Sequence, residues 1–131
     1  MPADAIWELE RNLPRSDSWE PWSFVGCLHG DRRWDQPAYW RFEWAVVTLA
    51  DEHSGRDQLP RDLMHGIFSV LSYSLIVIGS HQDPTEAFEL VESSSEDLRA
   101  YRDRLEMLSE GFFRGAVPDL GAGPAVNPLL K

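Results

Sequence analysis

Cys27 and His29, two residues apart in SFVGCLH (residues 23–29), are the side chains of this chain best equipped to do chemistry. A thiol beside an imidazole can act as nucleophile and base, or supply half of a metal site. A cysteine nucleophile needs a depressed pKa, access to substrate and a base oriented by a third group. Cys27, the chain's only cysteine, instead follows Phe24 and Val25 and sits between Gly26 and Leu28, an apolar setting that raises a thiol's pKa. An extended backbone would turn Cys27 and His29 to the same side, but the sequence offers no third partner. The pair reads as packing, because a buried cysteine behaves far more often as a small hydrophobe than as a reagent. No catalytic residue is assigned.

Metal chemistry has no better footing. His29, His53, His65 and His81 lie far apart, with neither the i, i+4 pairing nor the two-cysteine spacing from which zinc sites are made locally. His81 and Asp83 form an H-x-D, yet Asp83 has a capping role that explains it. No glycine-rich phosphate loop and no G-x-S-x-G elbow is present. The sequence therefore assigns no metal ligand and no cofactor.

The carboxylates carry more information. The chain has 22 acidic against 12 basic residues, a net charge of −10. That charge repels nucleic-acid phosphates and speeds encounter with a basic protein. Between residues 83 and 97 stand Asp83, Glu86, Glu89, Glu92, Glu96 and Asp97 with no Lys or Arg among them. Like charges at helical spacing cost stability unless a partner matches them, so this run is a candidate site for a basic partner. The other reading is a pair of acidic helix N-termini favoured by the macrodipole. Trp19, Trp22 and Trp34 are the candidate aromatic anchors, with a place in the core as the alternative for each.

These residues must be positioned by a mainly α fold with three long helices. The first runs over 35–54, with Asp35 as N-cap and Pro37 in its first turn; Tyr39, Phe42, Val46 and Leu49 form its apolar stripe, and Gly55 ends it. The second runs over 60–79, from Pro60 to Gly79, and its apolar residues on nearly every side predict the central element of the fold; SLIVI within it also fits a buried strand. The third runs over 94–114, opened by Ser93 with Glu96 and carrying Leu98, Tyr101, Leu105, Leu108 and Phe112 on one face. Asp83 with Glu86 resembles another capping box, predicting a short helix over 84–91, with strand as the alternative for AFELV. All six tryptophans lie in the first 44 residues. That segment is read as irregular beyond a two-turn helix at 4–12; Pro21, Gly26 and Gly30 disfavour a long helix, so SFVGCL is extended or in an ordered loop. The tail beyond Gly115 is irregular, docking through Val126, Leu129 and Leu130. The second choice is α+β, with SFVGCL and AFELV as short strands.

At 131 residues the chain is expected to form one domain, residues 1–131. A single cysteine favours a reducing compartment, and the acidic N-terminus does not read as a signal peptide, so a cytoplasmic location is expected. The apolar region 63–78 is interrupted by polar residues and is shorter than the roughly 20 residues of a spanning helix, so it is read as core rather than membrane.

The ordered pieces SFVGCLH, WDQPAYWRFEWAVVTL, GSHQDPTEAFEL, EGFFRG and NPLL resemble a family of bacterial polymorphic-toxin immunity proteins, immunity protein family forty-one. The resemblance runs from Ser23 to the C-terminus and implies a non-enzymatic cytoplasmic antidote. Such a protein binds its cognate toxin domain and blocks the active site or the substrate path. The implied partner is a toxin domain, basic by charge complementarity, such as a nuclease or a transferase. A regulatory or scaffold module, or an enzyme using Cys27 and His29, are the alternative classes.

Overall fold

The computed structural model describes residues 4–120 and 126–130. The chain is mainly helical: α1 Ala5–Glu10, α2 Phe24–Gly30, α3 Gln36–Glu52, α4 Arg61–Gln82 and α5 Ser95–Phe113, closed by a 3-10 turn at Pro128–Leu130. Among the described residues there is no strand, only an isolated parallel bridge between Arg33 and Val91. The α+β choice is thereby corrected.

The hub is α3. Asp35 caps it by accepting a hydrogen bond from the Ala38 amide at 3.0 Å, and Pro37 occupies its first turn. Tyr39, Phe42, Ala45 and Val46 are fully buried along it, so it meets α1 and α2, α5 and the 3-10 turn on different sides. The expectation that α4 would be central is wrong. That helix packs on α5, and more lightly on α1 and α2, through Leu63, Ile67, Val70, Leu71, Val77 and Ile78. Phe68 and Ile76 stay 61% and 65% exposed. A helix apolar all round needs neighbours all round, and α4 has them on only part of its circumference. It reaches 22 residues, long and apolar enough by length and composition alone to cross a bilayer, but its buried stripe is used inside this fold.

Four local readings change. SFVGCL is neither extended nor a loop but α2, capped by Ser23, whose Oγ accepts from the Gly26 amide at 3.1 Å. Gly26 read as a breaker; its real role is close approach, since a Cβ there would stand 2.3 Å from the Pro21 carbonyl oxygen. Helix α4 runs through exposed Gly79 to Gln82. Asp83 then follows it as C-cap, and the Asp83 carboxylate accepts from the Thr85 amide at 2.9 Å and the Thr85 hydroxyl at 2.7 Å. That turn takes the place of the capping box with Glu86. Residues 84–92 are consequently neither helix nor strand: Phe88 and Leu90 pack inward while Glu89 and Val91 face out. The cap of α5 is Ser94, accepting from the Asp97 amide at 3.1 Å, one residue later than Ser93 with Glu96.

The tail docks through a polar residue. Asn127 is buried and donates to the Trp40 carbonyl at 2.9 Å and to Glu43 Oε1 at 3.2 Å. Leu129 packs against the core, but Val126 is exposed and does not dock.

Candidate functional site

Residues 84–92 form a strap across the ends of two helices. The Leu90 amide donates to His81 Nδ1 near the end of α4 at 2.8 Å, and the Val91 amide donates to the Arg32 carbonyl just beyond α2 at 2.8 Å. Arg32 and Glu92 both adopt positive φ, at 51° and 58°, where non-glycine residues are uncommon. The strap thus holds Glu86, Glu89 and Glu92 at the surface, all exposed. It also runs beside Arg32 and Arg33, so the acidic run is less purely acidic in space than in sequence. Arg33 is already paired with Asp35 and, at 3.9 Å, Asp31.

The other candidates are distributed differently. Glu96 and Asp97 are exposed in the first turn of α5, where the helix dipole accounts for them. Asp83 is partly buried and committed to Thr85, whose side-chain and backbone hydrogen bonds lower its pKa. Trp34 is not available to a partner. It is only 9% exposed, with ring centroids 4.8 Å from Phe24, 5.3 Å from Tyr39 and 4.6 Å from Tyr101; the α2–α3 turn tucks it into the aromatic core. Trp19 is half-buried against the core, and Trp22 is 64% exposed.

Cys27 and His29 part company once α2 is a helix, because residues two apart do not share a helix face. Cys27 is 2% exposed, and burial, with Asp35 adding to it, pushes its thiol pKa up. Its sulfur accepts from Arg33 Nη2 at 3.6 Å. His29 is on the surface. Among the described residues no group of three His, Cys, Asp or Glu stands together as a metal site would require.

Two features escaped the sequence. One is a pair of buried charge clusters. Glu8 holds Arg11 at 3.0 Å, with Glu20 on the other side of Arg11 and Arg41 at 3.7 Å from Glu8. Glu43 and Arg104 join α3 to α5. The other is an apolar groove of about 530 Å³ between residues 12–19, α2 and α4, where Trp19, Val25, His29 and Tyr73 meet. Glu8 and Arg11 are three residues apart, but their burial, and the Glu43–Arg104 pair 61 residues apart, left no local signal. The groove did leave one, in the excess of apolar faces on α4.

A family model described as Immunity protein 41 matches residues 11–106. The match begins before SFVGCLH and ends within α5, so EGFFRG and NPLL fall outside it. No curated protein and no solved structure matches the chain.

Proposed function

The chain belongs to the Immunity protein 41 family, and from that premise we propose that it neutralises a cognate bacterial toxin domain by binding it directly and blocking its active site or substrate path. The family match carries this reading. The proposed partner is a basic toxin domain, a nuclease or a transferase, met in the cytoplasm. A surface charge of this size and sign raises the association rate with such a partner and disfavours nucleic acid.

Glu86, Glu89 and Glu92 on the strap, with Trp22, are the proposed contact residues from the original set. Their exposure supports that role. Asp83 and Trp34 are withdrawn, one because its carboxylate is engaged in a turn and the other because it is core. Glu96 and Asp97 have a sufficient explanation in the α5 N-terminus. Trp19 enters through the groove it lines.

The deciding experiment is co-expression with the toxin domain encoded immediately upstream. Survival of the host and co-purification of a stable complex are expected. The absence of both survival and a complex would refute the proposal.

A further inference from the structure

The apolar groove does not end at Trp19. It shares Leu13, Pro14 and Ser69 with a second depression of about 990 Å³ that continues past Leu9 and Leu63 along the first turns of α4. Together they form one trough with an apolar floor, beside which exposed Ile76 projects from α4. Ile76 stands seven residues after Ser69 and three after Tyr73, on the same helix face. Exposed apolar surface of this extent on a chain this acidic marks a place where something docks.

The rim identifies what docks. Glu10, Asp17 and Asp62 edge the second depression, and none has an ion pair among the described residues. Against them stand Arg15 and the imidazoles of His53 and His65. Three carboxylates facing one arginine leave the rim negative. A second copy of this chain, itself at −10, would be repelled, and so would an anionic lipid surface. A basic segment would be held.

We propose that the trough seats a basic, amphipathic segment of the cognate toxin domain. Its apolar side chains enter between Trp19, Val25 and Tyr73, and its Lys or Arg side chains face Glu10, Asp17 and Asp62. The inference rests on the immunity reading and names the surface by which that reading would work.

The test uses the full chain and the upstream-encoded toxin domain in titration calorimetry and binding kinetics. Two variants alter exposed positions only: Asp17→Lys with Asp62→Lys, and Ile76→Glu. Each is expected to weaken the complex by roughly tenfold or more, with an unchanged helical circular-dichroism spectrum. Affinities within about twofold of the unmodified chain, in variants that remain folded, would overturn the trough while leaving toxin binding intact. No binding by the unmodified chain would overturn both. Self-association abolished by Ile76→Glu would assign the trough to a second copy and overturn the proposal in that direction.

Discussion

Arg104 of α5 lays its guanidinium along the fully buried carboxylate of Glu43 on α3, with Nε 2.9 Å from Oε2 and Nη2 on Oε1. The same guanidinium lies over the Trp40 ring at 5.0 Å, and the Tyr39 hydroxyl faces the pair outside good hydrogen-bond geometry. A two-pronged, desolvated pair between residues 61 apart in sequence fixes how α3 and α5 meet. Removing one member leaves the other charged and buried, which costs about 3–5 kcal/mol, whereas replacing both with apolar groups costs far less. Arg104→Met alone should therefore lower the urea midpoint much more than Glu43→Leu with Arg104→Met. A double-mutant cycle in urea measures the difference.

Asn127 ties the tail to this pair. It donates to the Trp40 carbonyl and to Glu43, and its own Oδ1 accepts from the Leu129 amide at 2.9 Å. Asn127→Ala removes a buried donor from the Trp40 carbonyl and from Glu43 Oε1, which keeps Arg104, and should cost about 1–3 kcal/mol. The amide of Leu129 should exchange faster in hydrogen-exchange measurements, while amides in the middle of α5 keep their protection relative to global stability.

Two glycines predict opposite outcomes. Gly26→Ala drives a Cβ against the backbone of Glu20 and Pro21, which cannot yield as a side-chain tip would, and should destabilise the chain by about 1–3 kcal/mol. Gly79 lies in α4 with open space where a Cβ would go, so Gly79→Ala should stabilise by about 0.5–1 kcal/mol. Thermal unfolding of both variants checks the pair of signs.

These cases show which parts of the fold the sequence could reveal. The α3 and α5 stripes and the Asp35 cap were legible because each depends on residues within one or two turns. Gly26 was misread because its packing partner, the 20–21 backbone, becomes a neighbour only after the chain folds back. Asp83 was misread because one carboxylate can cap a helix or close a turn, and the choice depends on the helix already ending there. The acidic strap was visible as charge, but Arg32 and Arg33 beside it were not, and the burial of Trp34 followed from a turn that composition does not encode.

Glu8 gives a pH signature. Burial raises its pKa, against the opposing pull of Arg11 and, more weakly, Arg41. The folded chain then keeps a proton on Glu8 at pH values where the unfolded chain has released it. The stability from that proton is present in full below the ordinary glutamate pKa and is lost as pH rises through the elevated value. Glu8→Gln should flatten this part of the pH dependence of the urea midpoint. An unaltered profile would show that the Arg11 pairing cancels the effect of burial.

Cys27 predicts a slow thiol. Its burial and raised pKa require opening of α2 before a reagent reaches it, so alkylation by iodoacetamide should follow unfolding, with little response to His29→Ala. Rapid labelling of the folded chain, slowed by His29→Ala, would restore the thiol–imidazole reading.

The strap and the trough separate kinetically. Glu86, Glu89 and Glu92 are exposed on the strap, so as contacts at the edge of the interface they act on a basic toxin domain mainly during its approach, through a field that salt screens over about 8–10 Å. Reversing all three to Lys changes the net charge by +6, from −10 to −4, without touching the apolar floor. Association should slow by roughly tenfold at low ionic strength, the salt dependence should flatten, and dissociation should stay near its original rate. Ile76→Glu beside the apolar floor should do the reverse and act chiefly on dissociation, because an apolar contact is felt only after docking. Stopped-flow association across a salt series distinguishes the two. If strap reversal left the association rate and its salt slope unchanged, Glu86, Glu89 and Glu92 would lie away from the approaching toxin.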